Sequence, residues 1–299
     1  MESNNEINSS VSIIAHDAGG AELLSSYVIH QKEMQFFFAL SGPAIKIFNR
    51  KLGLIKNNTI EEAVSKSNII FCGTGWSRFE LKGLIAASKL NKKTIAFLDH
   101  WVDYRERFIW NDDTFLPDEI WVVDTYAQKH ASSIFPEIRI RLIQNYYFED
   151  IKKEYKKVAV NKKQQQKGVS VLFVSDNFDG VIEKDFIKKN YLLFTDIEIF
   201  RYLIRNIDTL HSKIKKIIIR PHPSELNTAT KYEPVMSECK IPYKIGGKVS
   251  LLEEIANNDI VVGGESMALV VAMICGKEVY SCMPPEGKYT LPFDDIKRI

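Results

Sequence analysis

The sequence predicts an α/β protein made of two Rossmann-like domains whose parallel sheets face a central cleft. Short apolar runs alternate with turns and helical segments through the first half of the chain, and a second such series starts at residue 169. Apolar runs of this kind are typical of parallel strands buried on both faces. A lysine- and glutamine-rich stretch separates the two series. We therefore expect domains over residues 1–150 and 168–299, joined by a linker over 151–167.

In the first series, each predicted strand is an apolar run, and glycine, proline or small polar residues mark most of the turns that follow. The strands are expected at residues 11–15, 36–40, 69–72, 94–98, 119–123 and 138–143. The helices are expected at residues 21–31, 45–51, 60–66, 79–90 and 126–135.

The second series repeats this alternation. Its strands are expected at residues 169–174, 217–220, 243–245, 260–262 and 278–281. Its helices are expected at residues 195–210, 232–238, 251–257 and 267–274. Open α/β sheets bind ligands beyond the carboxyl ends of their strands, so we expect functional residues in the loops that follow strands.

The charge balance argues against nucleic acid as a partner. The chain has 40 lysines and arginines against 38 aspartates and glutamates, a net charge of +2. Lysines do gather over residues 152–167 and 213–216. They indicate a solvated linker and helix face, with contact to an anionic membrane surface as the alternative.

The sequence favours a cytoplasmic location. The polar N-terminus, MESNNEINSS, has no apolar signal core. No apolar run reaches the roughly 20 residues that a membrane-crossing helix requires. The four cysteines have neither metal nor redox spacing, which fits a reducing compartment.

The loop after the strand at 260–262 is a candidate anion site. Gly263 and Gly264 break the strand, and Glu265 and Ser266 precede an apolar helix. Backbone N–H groups at a helix N-terminus attract an anion such as a phosphate, and glycines let it approach closely. The alternative is that Ser266 only caps the helix and that the glycines only form a tight turn.

The segment IIIRPHPSE, residues 217–225, is a second candidate. It ends a strand with Arg220, His222 and Ser224. The prolines on both sides of His222 stop the strand and hold the histidine on a stiff, extended segment. Ser175 ends another strand, so we expect these polar side chains to converge with the glycine loop on one crevice.

The first loop, HDAGG at residues 16–20, opens the first strand, loop and helix of the chain. Gly19 and Gly20 lie in it, but it does not match the GxGxxG fingerprint of dinucleotide-binding proteins. Asp17 lies just past the strand, where its carboxylate could take a proton from an attacking hydroxyl. The alternative is that Asp17 only caps the following helix.

Two further loops of the first half carry polar and aromatic side chains. Thr74 lies in GTGWS after a strand, and four more candidates lie between residues 99 and 107: His100, Tyr104, Arg105 and Arg107. Charged and aromatic groups at this density indicate a surface loop at the mouth of the crevice. Its arginines could hold an anionic substrate bidentately. The alternative is a structural loop whose arginines pair with Asp103 and Glu106.

Three motifs resemble those of GT-B glycosyltransferases. RPHP at 220–223 is similar to the motif whose histidine contacts the donor's phosphate or nucleotide. GGES at 263–266 is similar to the Ser/Thr motif that opens a helix under the same phosphate, and HDAGG at 16–20 is placed like the acidic first-loop motif. The likeness is nearest to bacterial sialyltransferases and Kdo transferases of capsule and lipopolysaccharide assembly, and looser to CDP-glycerol polymerases.

The resemblance implies roles for the candidate residues. Asp17, as the base, and His222 would be catalytic. The donor would contact Arg220, His222, Ser224, Gly263, Gly264, Glu265, Ser266 and Ser175. The acceptor or the sugar would contact His16, Gly19, Gly20, Thr74, His100, Tyr104, Arg105 and Arg107.

The chain departs from the sialyltransferase pattern in two places. Its first motif has one acidic residue, Asp17 after His16, where sialyltransferases typically have paired acids followed by glycine. In the last motif Glu265 precedes Ser266. Because a carboxylate would repel a phosphate, we expect Glu265 to accept hydrogen bonds from a ribose hydroxyl or the sugar.

These observations predict a metal-independent, inverting glycosyltransferase that needs no cofactor and moves a CMP-activated acidic sugar to a glycan or lipid-linked acceptor. No DxD-type run, His/Cys cluster or HExxH pattern is present to hold a divalent ion. The alternatives are a UDP-sugar 2-epimerase, a UDP-sugar-dependent GT-B transferase, and a non-catalytic partner that binds nucleotide sugars.

Overall fold

The computed structural model describes residues 10–159, 168–178, 194–211, 213–223, 225, 228–237 and 239–299. The chain divides into two compact units, Met1–Glu149 and Asp150–Ile299. Each unit is an α/β structure with one six-stranded parallel sheet. The predicted class, α/β with two parallel sheets, is confirmed.

The first unit alternates strands and helices from its first described residue. Its strands are β1 (Ser10–Ala15), β2 (Gln35–Leu40), β3 (Ile69–Cys72), β4 (Lys93–Phe97), β5 (Ile109–Trp110), β6 (Asp113–Thr114), β7 (Glu119–Val122) and β8 (Arg139–Leu142). Its helices are α1 (Ala18–His30), α2 (Pro43–Leu52), α3 (Ile60–Ser65), α4 (Phe79–Lys89), α5 (Thr125–Ile134) and the start of α6 (Tyr146–Ala159). The short hairpin of β5 and β6, which follows a 3-10 turn at Glu106–Phe108, was not predicted.

The main sheet of the first unit has the order β2-β1-β3-β4-β7-β8. The chain passes from β1 outward to β2 and then returns to the other side of β1 as β3. The strand order therefore reverses between β1 and β3. The carboxyl ends of the strands at such a switch point are where open α/β sheets bind ligands.

The outer edge of β2 is covered by a segment of the same chain. Asn57 forms an isolated parallel bridge with Phe38. Its side-chain Oδ1 accepts the N–H of Leu40 (2.7 Å) and its Nδ2 donates to the carbonyl of Leu40 (2.9 Å). The amide side chain thus satisfies backbone groups that an edge strand would otherwise leave open.

An aromatic cluster joins α1 to the sheet. The ring of Tyr27 meets those of Phe71, Phe97 and Trp121 edge-on, with centroids 5.5 to 5.7 Å apart. Each such pair contributes about 0.5–1.5 kcal/mol beyond the burial of its area. Since the three partners come from β3, β4 and β7, one helical residue ties three strands together.

The second unit repeats this architecture. Its strands are β9 (Val169–Val174), β10 (Ile214–Arg220), β11 (Tyr243–Ile245), β12 (Ile260–Gly263), β13 (Glu278–Ser281) and β14 (Ile296–Arg298). Its helices, after the end of α6, are α7 (Asp196–Arg205), α8 (Thr228–Lys231), α9 (Glu233–Met236), α10 (Leu251–Asn257) and α11 (Met267–Ile274). The order β11-β10-β9-β12-β13-β14 places the switch point between β9 and β12. β14 was not predicted, because Ile296 is its one apolar residue.

Capping boxes start two helices of the second unit. Thr195 caps α7 with Glu198, and Ser250 caps α10 with Glu253. The helix predicted over 195–210 is shorter than expected, because α7 ends at Arg205 and a 3-10 turn at Ile207–Thr209 follows. The apolar periodicity continues through that turn, so it could not mark the end of the helix.

The predicted linker over residues 151–167 is helical in its described part, beyond the single helical turn that the sequence suggests. α6 continues to Ala159, with Ile151 buried. Asn145 accepts a hydrogen bond from the N–H of Phe148 (3.0 Å) near its start. A lysine-rich composition is shared by linkers and by solvated helices, so it could not distinguish them. Residues 160–167 lie outside the described residues.

Gly83 of α4 packs against β1 too closely for a side chain, and its replacement tests this contact. A Cβ added at Gly83 would lie 2.4 Å from Cδ1 and 3.0 Å from Cγ2 of Ile14, a fully buried core residue. Alanine normally stabilises a helix interior by about 1 kcal/mol over glycine. Here we expect Gly83→Ala to lower the free energy of unfolding by about 1–3 kcal/mol, the usual cost of overpacking, in a denaturant titration.

The double variant Ile14→Val/Gly83→Ala serves as the control, because valine lacks the methyl group nearest the added Cβ. We expect it to be less destabilised than the sum of the two single variants. Strict additivity would show that the two positions do not compete for the same space.

Candidate functional site

The loop after β1 places a histidine beside an aspartate at the switch point of the first unit. His16 Nδ1 lies 2.6 Å from Asp17 Oδ1, and the N–H of Trp76, in the loop after β3, donates to Asp17 Oδ2 (2.8 Å). The two side chains are 28% and 32% exposed. Asp17 is the N-cap residue of α1, but its side chain makes no capping hydrogen bond. Its carboxylate is therefore engaged across the switch point rather than with its own helix.

Two glycines make room for this pair. A Cβ at Gly75 would lie 2.4 Å from Cγ of Asp17, and one at Gly42 would lie 2.5 Å from Nε2 of His16. Gly42 also has a φ of +52°, a conformation that favours glycine. The loops after β2 and β3 thus enclose the pair from both sides of β1.

A buried glutamate that the sequence did not suggest holds this turn. Glu80, in the first turn of α4, is 2% exposed, and its Oε1 accepts the N–H groups of His16 (2.7 Å) and Asp17 (3.3 Å). Burial raises the pKa of the Glu80 carboxyl; hydrogen bonds from the backbone oppose this shift, and the nearby charge of Asp17 adds to it. Glu80 thus fixes the backbone from which both side chains project. Acidic residues are common in the first turn of helices, so its position gave no specific signal.

The predicted surface loop of residues 99–107 is at the surface only in part, because Arg105 and Glu106 are exposed whereas its aromatic side chains and Arg107 are buried. Arg107 is 7% exposed, donates to the carbonyl of Thr74 (2.6 Å) and lies 3.8 Å from Asp99. Tyr104 is 1% exposed, and its hydroxyl has no hydrogen-bond partner among the described residues. Burial, with a smaller contribution from nearby charges, raises the pKa of this phenol. The aromatic side chains of this loop are core residues rather than substrate contacts.

The other two candidates of this loop also face protein groups. Arg105 donates to the last carbonyl of α5 (2.7 Å) and lies 3.7 Å from Glu137, so its acidic partner is not one of its own loop. The Nδ1 atom of His100 is buried without a partner among the described residues. Burial lowers the pKa of His100, and the charge of Asp99 opposes this shift.

Three predicted residues of the first unit pack around Asp99 and the switch point. Thr74 Oγ1 donates to Asp99 Oδ1 (3.2 Å). A Cβ at Gly19 would lie 2.1 Å from Asp99 Oδ2, and one at Gly20 would lie 3.2 Å from Cα of Gly73. These glycines allow the first turn of α1 to approach the loops after β3 and β4.

In the second unit, an aspartate occupies the predicted anion site. Asp176 follows β9, and its Oδ2 accepts the N–H groups of Gly264 (3.1 Å) and Glu265 (3.3 Å) in the loop after β12. Ser266 is the N-cap residue of α11, and its Oγ accepts the N–H of Ala268 (3.3 Å). Backbone groups that were expected to bind a phosphate are thus already bound to a carboxylate of the chain.

The Asp176 carboxyl lies in surroundings that disfavour its charge. Although the residue as a whole is half-buried, protein atoms enclose the carboxyl group. Burial raises its pKa well above the usual value, and the charges of Asp196 and Glu265 raise it further. The hydrogen bonds from Gly264 and Glu265 act in the opposite direction.

Two predicted donor-binding side chains are engaged with other residues of the second unit. Arg220 Nη1 donates to Glu254 Oε2 (2.7 Å), and both side chains are largely buried. Glu265 Oε2 accepts from the N–H (3.2 Å) and the Oγ1 (2.8 Å) of Thr290. Thr290 thus supplies the hydroxyl that Glu265 was expected to receive from a ligand.

His222 follows β10 beside a buried ionic cluster. Its backbone N–H donates to Glu225 Oε2 (3.0 Å). Glu225 Oε1 accepts from Ser175 Oγ (2.7 Å) and from Lys231 Nζ, which also donates to Asp196 Oδ2 (3.0 Å). One lysine therefore joins two carboxylates whose side chains are 1% and 2% exposed.

The surroundings of the His222 imidazole favour its neutral form. Burial lowers its pKa below the usual 6.5, and the charges of Glu225 and Asp196 oppose this shift. A neutral imidazole can donate one ring N–H to a ligand but brings no charge. Ser175 Oγ also lies 3.0 Å from Asp196 Oδ1, so either carboxylate can accept its one hydroxyl proton, whereas Ser224 lies outside the described residues.

The residues that sequence reasoning missed are mostly buried ionisable groups: Glu80, Asp176, Asp196, Glu225 and Lys231. Their partners are distant in sequence or lie in loops without a distinctive motif. Asp176 carried the one available signal, because it follows its strand closely, as Asp17 does. By contrast, Gly263, which was predicted to contact the donor, has a packing role, since a Cβ there would lie 2.8 Å from the carbonyl oxygen of Val174.

The described part of the chain has neither a cluster of metal-ligating side chains nor a membrane-crossing helix. No group of three or more His, Cys, Asp or Glu side chains there is placed to hold a metal ion. None of its helices combines the length and the apolar character needed to cross a bilayer.

Comparison with solved structures shows the fold. A putative UDP-N-acetylglucosamine 2-epimerase from Listeria monocytogenes matches 91% of this chain and 78% of its own, with a TM-score of 0.58 and 10% identity. Acinetobacter baumannii MurG matches 96% of this chain and 79% of its own, with a TM-score of 0.47 and 11% identity. The E. coli heptosyltransferase WaaC with ADP-2-deoxy-2-fluoro heptose matches 97% of this chain and 92% of its own, with a TM-score of 0.48 and 11% identity. The sequence matches no protein-family model and no curated protein.

The likeness to the Listeria protein shows that the two α/β units have the GT-B fold. At 10% identity it shows the fold alone. None of the three structures is a sialyltransferase or a Kdo transferase, so that finer resemblance stays a prediction.

Asp176→Asn tests the unfavourable surroundings of this carboxyl. A carboxyl whose pKa is raised on folding contributes stability below its unfolded pKa, and this contribution is lost as pH rises through the folded pKa. An amide cannot ionise, so we expect the variant to melt at a higher temperature at pH 7. The increase should be about 2–4 °C for each kcal/mol gained. It should shrink as pH falls toward about 4 in melting curves recorded from pH 4 to pH 8.

Asp208→Asn is the matched control, because Asp208 is exposed in the 3-10 turn after α7. Its effect should stay within about 0.5 kcal/mol at every pH. A lower melting temperature for Asp176→Asn at pH 7 would show that the carboxylate is net stabilising where it lies.

Proposed function

We propose that this protein is a GT-B glycosyltransferase that moves a sugar from a nucleotide donor to a glycan or lipid-linked acceptor. The observation that carries the proposal is the His16–Asp17 pair, whose 2.6 Å contact orients an imidazole at the switch point of the first unit. Such a transfer needs a general base close to the acceptor hydroxyl, and a histidine whose second ring nitrogen is held by a carboxylate suits that task. The GT-B fold supports the same class.

In the proposed step, the acceptor hydroxyl gives its proton to His16 Nε2 while its oxygen attacks the anomeric carbon of the donor. Nδ1–H of His16 donates to Asp17, which leaves the lone pair on Nε2. The bond between the anomeric carbon and the phosphate oxygen breaks, and its electron pair leaves with the phosphate, so the configuration inverts. This revises the base expected from the sequence, since Asp17 positions the imidazole instead of taking the proton itself.

The donor is proposed to bind the second unit through His222 and the loop after β12. His222 would donate a ring N–H to the phosphate. The N–H groups of Gly264 and Glu265 would bind the phosphate once the Asp176 carboxyl releases them. Because Asp176 and the phosphate compete for the same donors, donor binding would be coupled to the movement of this carboxyl.

The finer features of the reaction rest on the sequence motifs. RPHP and GGES support a CMP-activated acidic sugar, as used in capsule and lipopolysaccharide assembly. The absence of a DxD-type run supports a reaction that needs no divalent ion. The lysines of α6 would allow peripheral contact with an anionic membrane surface in a cytoplasmic enzyme.

A UDP-sugar 2-epimerase is the second candidate, because the Listeria protein, whose fold this chain shares, carries that assignment. An epimerase converts its nucleotide sugar without an acceptor, whereas a transferase requires one. Incubation with nucleotide sugar alone, followed by product analysis, separates the two. A non-catalytic partner would bind the nucleotide sugar and convert nothing.

Variants of the His16–Asp17 pair test the proposed base. We expect His16→Gln and Asp17→Asn to lower the turnover number of sugar transfer by about 10²–10⁴-fold, because general base catalysis is lost in the first and the tautomer is no longer fixed in the second. Transfer is measured by mass spectrometry with a set of nucleotide sugars and acceptors. Nucleotide affinity, measured by calorimetry, should not change, because the donor residues belong to the second unit.

His211→Gln, which replaces an exposed histidine of the second unit, is the control for this series. Normal turnover in His16→Gln with loss in Asp17→Asn would return the role of base to Asp17. Normal turnover in both variants would refute the assignment of the pair.

A thermal-shift panel of CMP, CDP, UDP, GDP and ADP tests the donor site. A nucleotide at one hundred times its dissociation constant should add about 2.7 kcal/mol of stability. We expect CMP to give the largest shift and His222→Ala to reduce it, because the imidazole N–H contacts the phosphate. Equal, negligible shifts for all five nucleotides would contradict a nucleotide site in the second unit.

A further inference from the structure

Trp76 presents an exposed aromatic surface beside the proposed base. It is 38% exposed, whereas Trp101 and Trp121 are 4% and 6% exposed. Its backbone N–H donates to Asp17 Oδ2 (2.8 Å), so its position is tied to the His16–Asp17 pair. A flat apolar ring of this kind can stack against the C–H face of a pyranose.

Two guanidinium groups lie against the ring of Trp76. Cζ of Arg107 is 5.2 Å from the ring centroid, and Cζ of Arg78 is 5.8 Å from it. Arg107 is buried and lies 3.8 Å from Asp99, so its charge has a partner inside the unit. Both distances are within the range of cation–π contacts.

Arg78 differs from Arg107 in its partners. Its hydrogen bond within the described residues is long, 3.4 Å from Nη1 to the carbonyl of Glu106. No carboxylate of the described residues lies within 4.0 Å of it, although the residue is half-buried. A guanidinium carries five N–H donors in a fork that matches a carboxylate or a phosphate. Arg78 therefore has donors and charge to offer to an anion.

We propose that Trp76 and Arg78 form an acceptor subsite for an anionic pyranoside. Trp76 stacks on the sugar ring, and Arg78 binds its carboxylate or phosphate group. The subsite rests on the proposed function and deepens it by naming the substrate class of the first unit. It replaces Arg105 and Arg107, which the sequence predicted as anion contacts and which the fold engages elsewhere. The hydrogen bond from the Trp76 backbone N–H to Asp17 keeps this residue in the loop beside the His16–Asp17 pair.

The subsite is tested by binding, without any turnover. The chain has four tryptophans, so its ¹⁵N-labelled form gives four indole N–H signals, and Trp76→Phe identifies the one from Trp76. The probes are methyl glucoside, methyl glucuronide and methyl glucoside 6-phosphate. We expect the Trp76 signal to shift with the two anionic glycosides at concentrations at least tenfold lower than with the neutral one. The two anionic probes show whether carboxylate or phosphate is preferred.

Arg78→Gln should remove the preference for anionic glycosides. Arg78→Lys should keep part of it, because lysine retains the positive charge but lacks the planar set of N–H donors of a guanidinium. Arg139→Gln, at a side chain that is 75% exposed, is the matched control and should leave the preference unchanged. Melting curves of all variants show that the unit remains folded.

The outcomes separate this inference from the proposed function. Equal affinity for the three probes, or a preference that survives in Arg78→Gln, overturns the subsite. A preference that depends on Arg78 supports it even if no nucleotide sugar is ever turned over, a result that would instead overturn the proposed function. Efficient transfer to neutral acceptors with no effect of Arg78→Gln would leave the glycosyltransferase standing and refute the subsite.

Discussion

Both units depend on one kind of contact, an aspartate whose carboxylate reaches across the switch point of the sheet. Asp17 accepts the N–H of Trp76, and Asp176 accepts the N–H groups of Gly264 and Glu265. Each carboxylate satisfies backbone groups that the reversal of strand order leaves without a neighbouring strand. A glycine faces the aspartate in both units. A Cβ at Gly75 would lie 2.4 Å from Cγ of Asp17, and a Cβ at Gly264 would lie 2.6 Å from Oδ2 of Asp176, so neither position has room for a side chain.

The surroundings of the two aspartates give them different chemistry. Asp17 is partly exposed and has His16 as a partner, so its charge can orient an imidazole. Asp176 is enclosed near Asp196 and Glu265, where a second anion is unfavourable. In a low-dielectric interior such a cluster is stable only while each member keeps its partners. The first unit therefore presents an oriented imidazole at its switch point, and in the second unit a carboxyl of the chain already binds the backbone N–H groups of the glycine loop.

The sequence predicted best the elements that local apolar patterns decide. The strands at 69–72 and 169–174 and the helices at 251–257 and 267–274 have the bounds expected from their apolar runs. The partners of charged side chains could not be predicted, because they depend on which loops the strand order brings together. The arginines of the loop at 99–107 illustrate this. Asp103 and Glu106 were expected to pair with them, but Arg105 contacts α5 and Glu137, and Arg107 contacts Thr74 and Asp99.

The covered edge of β2 has a consequence for the behaviour of the chain in concentrated solution. β2 contains three consecutive phenylalanines, and a bare edge of that composition would accept the same strand from another copy. The carboxamide of Asn57 takes the place that such a strand would occupy at Leu40. Asn58, whose backbone N–H and side-chain amide both donate to the carbonyl of Phe38, covers the next position, so a strand from another copy would have to displace this segment before it could pair with β2.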